Sequence, residues 1–415
     1  MRILVTSSRN PFALDLIRKL GSTGHTVFAA DTYDGAMGSH SKCAAGHSVY
    51  ASPTFDTDQF ITDISNYVEE NDIEFILPTF EEAFYLAARR GDLPEGVEVF
   101  TGPFDKLAVL HDKVSFQRLC EDAGVPIPET VVATDKESLQ AAIDRFPQYF
   151  ARAAFSRGGV ALLTNTGPLA GAMTVEECNP TPEQPWIIQP FVDGPMACTY
   201  ATVVDGRVTS MVTYRTPEQW AHSTGIEFVA DDSTKTLEYT QKIVDQLDPH
   251  YSGQLSFDFV DHEGELLAIE CNPRATNGTL MLEAQDLSDA LQGNVEEVVM
   301  AVPGTEREIK AAVLANVFTP HLKTIPKTLQ HVLHGTDTGK DWHDSFATMW
   351  APASLVHGAK LSRGQHQRVL EALGGDMVWN GGPIDGMTKQ DAAALEAVHN
   401  QRPADTPTPE PETTN

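Results

Sequence analysis

Between Ser256 and Arg274 the sequence gathers Asp258, Glu270, Asn272 and Arg274, side chains that could hold a cation and grip an anion. Asp261 to Gly264 supplies turn residues between two apolar runs, so residues 251–274 read as a hairpin. Side chains alternate faces along a strand, so Glu270 and Asn272, two apart, point the same way. On the other arm Ser256, Asp258 and Val260 share a face, and hairpin pairing can bring Asp258 beside Glu270. The reverse faces carry Leu255, Phe257, Phe259, Leu267, Ile269 and Cys271, the expected core. Two carboxylates and a carboxamide oxygen suit Mg²⁺, with Mn²⁺ as the alternative ion. A hard cation prefers oxygen and shares its remaining positions with phosphates and water. Such an ion would bridge nucleotide phosphates and neutralise charge during phosphoryl transfer. Arg274 follows Pro273, so its guanidinium can reach the same place as a planar anion clamp. A plain hairpin with a solvated acidic face accounts for Asp258 alone, but poorly for the four residues together.

The run Glu270-x-Asn272-Pro273-Arg274, preceded by the Asp258-Phe259 strand, resembles the C-terminal signature of the ATP-grasp superfamily. Leu110-His111-Asp112-Lys113, followed by Gly124-Val-Pro126-x-Pro128, is similar to the start of that family's lid-side subdomain. Pro78-Thr-Phe80-Glu81-Glu82 looks like the end of the preceding domain in carbamoyl-phosphate-synthase-like members. The resemblance implies that Lys113 and Arg152 hold the nucleotide phosphates, although the second cation is usually lysine. Arg152 also stands in an apolar strand, where an unpaired charge is costly. Ser156, Arg157, Gly158 and Gly159 resemble the flexible loop over the ATP phosphates; glycines let a backbone come close to an anion. Gln189, Pro190, Phe191 and Val192 look like the segment that meets adenine, with Met196 where the family often has glutamate. The family's catalytic roles would fall to Arg274 and Arg157, and its metal ligands to Asp258, Glu270 and Asn272. Arg215 and His222 lie where related ligases often place substrate contacts, and a surface loop is an equal reading of both.

The surrounding pattern is that of an α/β protein. Arg2 to Ser7 reads as a buried strand, and Asn10-Pro11 as the cap of a helix that runs to Leu20 and stops at Gly21. Strands over Thr26–Ala30 and Phe75–Leu77 alternate with helices over Asp58–Asn71 and Glu81–Arg90. This alternation predicts a doubly wound parallel sheet. One helix is expected from Asp105 to Asp122, broken by the prolines at 126 and 128. Short strands with interposed helices fill 130–230. Helices over Glu306–Asn316, Lys327–His334 and Gln365–Leu373 form an appendage. The prolines at 403, 407, 409 and 411 mark a disordered tail. With the resemblance, the expected division is an N-terminal Rossmann-like domain over 1–105, an ATP-grasp lid-side subdomain over 106–185 and a metal-binding subdomain over 186–300. An appendage over 301–402 and the tail over 403–415 follow.

Composition narrows the function. The 415 residues carry 29 basic and 58 acidic side chains, a net charge of −29, which argues against nucleic acid or an anionic membrane as main partner. No window approaches a membrane span, and Met1 to Ser8 lacks the apolar stretch of a signal peptide. Five scattered cysteines without CxxC suit reduced thiols in the cytoplasm. The turn Thr6-Ser-Ser-Arg9-Asn10 has none of the glycines that admit a dinucleotide pyrophosphate, which argues against NAD. His331, His334 and His343 lack zinc spacing, so solvated or packed histidines are expected. The resemblance implies a carboxylate–amine ligase that makes an acyl phosphate from ATP and a small-molecule carboxylate and passes it to an amine, with no membrane partner and with a homodimer as the expected assembly. Two alternatives stay open: a bicarbonate-activating, carboxylase-like enzyme and a nucleotide-binding module that has lost catalysis.

Overall fold

The computed structural model describes residues 1–156, 161–217, 219–220, 224–225, 227–308, 344–365 and 374–400. The chain opens with β1 (Arg2–Val5), α1 (Pro11–Ser22), β2 (Thr26–Asp31), β3 (Ala44–Val49), α2 (Thr57–Glu70), β4 (Phe75–Leu77), α3 (Glu82–Ala88) and β5 (Glu98–Val99). The five strands make one parallel sheet in the order β3-β2-β1-β4-β5. Ile3, Leu4 and Val5 are buried, as a central parallel strand covered on both faces requires. The Asp56 carboxylate caps α2 by accepting from the Gln59 N–H at 3.1 Å.

Two expectations fail here. Helix α1 runs through Gly21 to Ser22, because that glycine is needed for packing rather than termination: a Cβ there would lie 3.2 Å from the Cys43 carbonyl oxygen. The side chain of Asn10 does not cap the helix; it donates to the Ser7 carbonyl oxygen at 3.2 Å. Strand β3 had no sequence signal, since its run Ala-Ala-Gly-His-Ser-Val is short of apolar residues and lies at a sheet edge.

The single helix expected over Asp105–Asp122 is two, α4 (Phe104–His111) and α5 (Lys113–Asp122). Asp112 adopts an extended backbone between them, and its carboxylate accepts from the Ser115 N–H at 2.8 Å. A second, antiparallel sheet follows, ordered β6-β9-β7-β8. It comprises β6 (Val131–Ala133), β7 (Tyr149–Ala153), β8 (Leu162–Thr164) and β9 (Trp186–Pro190), with α6 (Lys136–Arg145) packed against it.

The third sheet contains β10 (Met196–Val204), β11 (Arg207–Arg215), β14 (Glu227–Asp231), β15 (Gly253–His262), β16 (Glu265–Asn272), β17 (Val299–Met300) and β18 (Glu306–Glu308). Its path is β16-β15-β10-β11-β14-β18, with β17 parallel to β11; β12 (Gln219–Trp220) and β13 (Thr224–Gly225) pair separately. Helices α7 (Thr234–Val244) and α8 (Ala284–Leu291) complete this part. Residues 306–308 are thus a strand on β14, not the start of a helix. The rest of that expected helix, the one over 327–334, residues 366–373 and the 403–415 tail lie outside the described residues.

Three further helices stand among the described residues: α9 (Ser345–Thr348), α10 (Ala351–Gln365) and α11 (Lys389–Asn400). Before α11, residues 376–379 lie over the carboxyl ends of β1, β2 and β4. Arg9 donates to Asp376 Oδ1 at 3.0 Å, Ser7 to the Met377 sulfur at 3.0 Å, and the Trp379 N–H to Glu81 Oε2 at 3.0 Å. Trp379, Ile384, Leu395 and Val398 join Phe60 and Phe84 in one apolar core, so the described appendage is built into the N-terminal domain.

Candidate functional site

The hairpin β15–β16 pairs Asp258 with Glu270 and Ser256 with Asn272, the neighbourhood that hairpin pairing was expected to allow. A bulge interrupts it: Phe259 pairs with Ala268, leaving Ile269 as an extra residue. The bulge reverses which residues point inward. Ala268 and Cys271 are buried with Phe257 and Phe259, whereas Leu267 and Ile269, expected in the core, are only half-buried and outside that cluster.

Two cations from different elements meet Glu270. Arg152 Nη1 on β7 lies 2.8 Å from Glu270 Oε2, and Lys113 Nζ lies 3.6 Å from the same oxygen. The break at Asp112 makes Lys113 the first residue of α5. Its Nζ donates to the Ser156 carbonyl oxygen at 2.5 Å, and its N–H to that of Ala154 at 3.2 Å. Ser156 Oγ donates to the Ala153 carbonyl oxygen at 2.8 Å. The structure therefore brings Lys113, Arg152, Ser156, Asp258, Glu270 and Asn272 to one place. Arg157, Gly158 and Gly159 lie outside the described residues.

The charges there are mutually perturbed. Burial pushes the Asp258 carboxyl up, and the neighbouring Glu270 charge pushes it the same way. Burial also works against ionised Glu270, but Lys113 and Arg152 outweigh it and hold that carboxyl below its ordinary range. Burial lowers the Lys113 ammonium. Arg274 Nη2 donates to Asn272 Oδ1 at 3.1 Å, and its guanidinium sits 4.7 Å from the centre of the Phe80 ring. Arg152 Nε and Arg274 Nε are buried without a hydrogen-bond partner among the described residues.

The donor set fits a hard divalent cation. Among the described residues no three His, Cys, Asp or Glu side chains form a metal cluster. The protein offers two carboxylates and the Asn272 carboxamide, the sparse oxygen set that Mg²⁺ accepts when phosphates and water complete its shell.

The 189–192 segment is more constrained than its sequence suggests. Gln189 is buried, and its Nε2 donates to Thr130 Oγ1 at 2.9 Å and Gln117 Oε1 at 3.3 Å, so its side chain packs β9 against α5 and β6. Pro190 has no N–H, and the Phe191 N–H donates to the Gln148 carbonyl oxygen at 2.9 Å. Val192 keeps the backbone donor that could meet a base. Arg215 pairs with Asp231 at 2.6 Å and Asp261 at 3.3 Å. Strand alternation puts it on the Phe259 side of the sheet, away from Asp258. His222, like His331, His334 and His343, lies outside the described residues.

Sequence reasoning missed Gln117 and Phe80. Gln117 Nε2 donates to the carbonyl oxygens of Ala268 at 3.3 Å and Ile269 at 3.2 Å, bracing the bulge beside Glu270. The spacing of Gln117 four residues after Lys113 was the one available signal, since both then lie on one helix face.

No family model matches this sequence, and no curated protein matches it. Solved structures do. The chain is similar to the N5-carboxyaminoimidazole synthetase of Staphylococcus aureus complexed with ADP, with TM-score 0.56 and 13% identity over 77% of this chain and 86% of that one. Phosphoribosylamine–glycine ligase from Thermotoga maritima matches with TM-score 0.55 and 17% identity, over 74% and 78%. The biotin carboxylase domain of the Hydrogenobacter thermophilus 2-oxoglutarate carboxylase, a dimer with MgADP and bicarbonate, matches with TM-score 0.54 and 15% identity, over 72% and 71%. At these identities the likeness is one of fold. The chain shares the fold of these structures, with a doubly wound parallel sheet in its N-terminal part and two antiparallel sheets after it.

Proposed function

We propose that the protein is an ATP-dependent ligase that activates a small-molecule carboxylate and joins it to an amine. The observation that carries this reading is Glu270, flanked by Asp258 in register on one side and by Arg152 and Lys113 on the other. Asp258, Glu270 and Asn272 would hold Mg²⁺, or Mn²⁺ in its place, and the ion would supply charge neutralisation at the nucleotide phosphates. Lys113, Arg152 and Ser156, with Arg157, Gly158 and Gly159, would hold those phosphates; Gln189 through Val192 would meet the base, through the Val192 N–H. An oxygen of the substrate carboxylate bonds the γ-phosphorus as the bond to ADP breaks, giving an acyl phosphate. The amine nitrogen then bonds the acyl carbon, loses a proton, and phosphate leaves. Arg274, held by Asn272 and Phe80, would steady the carboxylate and the developing phosphoryl charge.

We divide the chain into an N-terminal domain over 1–105, a lid-side subdomain over 106–185, a metal-binding subdomain over 186–300 and an appendage over 301–402, bounds that β9 of the second sheet and β18 of the third overstep. No helix among the described residues is long and apolar enough to cross a membrane. The five cysteines are unpaired, which supports a reducing compartment, the cytoplasm. A homodimer belongs to the same reading, by analogy with the dimeric neighbour.

The experiment is ADP release from Mg·ATP on a panel of carboxylates, bicarbonate included, each with and without amines. ADP that requires both a carboxylate and an amine supports the ligase. Release with bicarbonate alone selects the carboxylase-like alternative, and tight Mg·ATP binding without turnover selects the inactive module.

A further inference from the structure

We propose that Trp379 and Gly381, in the C-terminal appendage, are positioning residues for the phosphate-binding end of the site: they grip Phe155 and so fix Ser156 and Lys113. This rests on the nucleotide reading above. Phe155 stands two residues past the end of β7 and immediately before Ser156. Its ring meets the Trp379 indole edge-on, centroids 5.5 Å apart at 74°, and the His399 ring at 5.9 Å and 72°. Gly381 closes the grip. Its φ is +78°, and a Cβ there would lie 2.5 Å from the Phe155 ring, so only glycine lets the backbone run against the aromatic face.

The gripping platform is itself held on several sides. Trp379 is 3% exposed. Its N–H donates to Glu81 Oε2 at 3.0 Å and its Nε1 to the Gly382 carbonyl oxygen at 2.7 Å. Its ring packs on Phe84 at 4.6 Å and Phe104 at 5.4 Å. On the other side of Phe155 the chain is tied to the cations: Lys113 bonds the carbonyl oxygens of both Ala154 and Ser156, and lies against Glu270. A shift of the Phe155 ring therefore moves the residues that hold Lys113, and misplacement of about 1 Å at a binding group is enough to weaken function strongly.

The test is calorimetric titration of the full-length protein with MgADP, with folding checked by circular dichroism and urea unfolding. Gly381→Ala should weaken MgADP binding about tenfold. Gly386→Ala is the control. Gly386 has φ +73°, and the atoms nearest to a Cβ there belong to the Arg89 side chain, so it strains the same appendage away from Phe155. It should leave MgADP affinity within about twofold. Should Gly381→Ala fail to fold, Phe155→Leu removes the ring contact instead and should weaken binding to a similar degree. Wild-type affinity in a folded Gly381→Ala or Phe155→Leu protein overturns the inference, as does an equal loss in Gly386→Ala. A wild-type protein that binds no MgADP overturns the functional reading and this inference together; wild-type binding with unchanged variants overturns this inference alone.

Discussion

Two ionic clusters join distant parts of this chain, and they are built differently. At the carboxyl ends of β1 and β2, Arg9 lies between Asp31 and Asp376, with relative exposures of 5%, 0% and 3%. Both oxygens of Asp376 are bonded, Oδ1 to Arg9 and Oδ2 to Arg9, Thr32 and His357. At the hairpin, Glu270 keeps 24% exposure, faces a second carboxylate, and has beside it the Nε atoms of Arg152 and Arg274, which have no partner among the described residues. The first cluster is closed: its charges satisfy one another, and it holds the appendage to the domain. The second is open, with carboxylates paired against each other and donors left over, an arrangement that a bound cation and phosphates would complete. An unsatisfied buried group is costly, so where one persists it points to a ligand more than to a scaffold.

The contrast can be broken most directly at Glu270. Glu270→Gln should lower the rate of ADP release roughly 10³-fold, about 4 kcal/mol, while the circular dichroism spectrum stays native. Near-wild-type turnover would make the open cluster another scaffold.

Asp376→Asn should do the reverse. Removing one partner of a buried ion pair destabilises by about 3 kcal/mol, the low end of the usual range because Asp31 still pairs with Arg9. Urea unfolding reads this. Its pH dependence has a definite sign. Burial opposes the charge of Asp376, but His357 and Arg9 hold its carboxyl far below the ordinary range. Its contribution is therefore full above about pH 4 and is lost as the pH falls toward the folded-state value. The stability gap between wild type and Asp376→Asn should shrink on acidification and stay flat from neutral pH upward.

Arg152→Ala should weaken MgADP affinity by roughly ten- to a hundredfold, the value of one or two charge-assisted hydrogen bonds, and Arg152→Lys should recover most of it. Equal affinity in Arg152→Ala would assign this arginine to the closed, structural kind of cluster. The smallest effect is expected at Pro190→Ala. Alanine adds an N–H at 190, but the donor to the base is assigned to Val192, so the KM for ATP should change less than about threefold.

Local pattern carried a definite part of this protein. Apolar runs bounded by turn residues were enough for β1, β2 and β4, and alternation was enough to put Glu270 and Asn272 on one face, because both are properties of neighbouring residues along a strand; the pairing of Asp258 with Glu270 itself depends on the bulge at Ile269. The signature around Glu270, Asn272 and Arg274 was legible for the same reason: its ligands come from one hairpin. What pattern could not supply was anything decided by a partner far away in sequence. The helix break at Asp112, which aims Lys113, needs its N-terminal cap and the carbonyl of Ala154 at once. The bulge at Ile269 is braced by Gln117, about 150 positions earlier, and it turned two expected core residues outward. Gly21 was a stop signal in sequence and a packing glycine in space.

Sequence alone determined that Glu270 and Asn272 share a strand face and that their oxygens suit a hard cation, because these follow from covalent spacing and donor chemistry. The tertiary structure decided which cations reach Glu270, that Arg215 faces away, and that the appendage grips Phe155. Those outcomes depend on contacts between segments tens to hundreds of residues apart, whose closure is fixed by the packing of the whole chain rather than by any local preference.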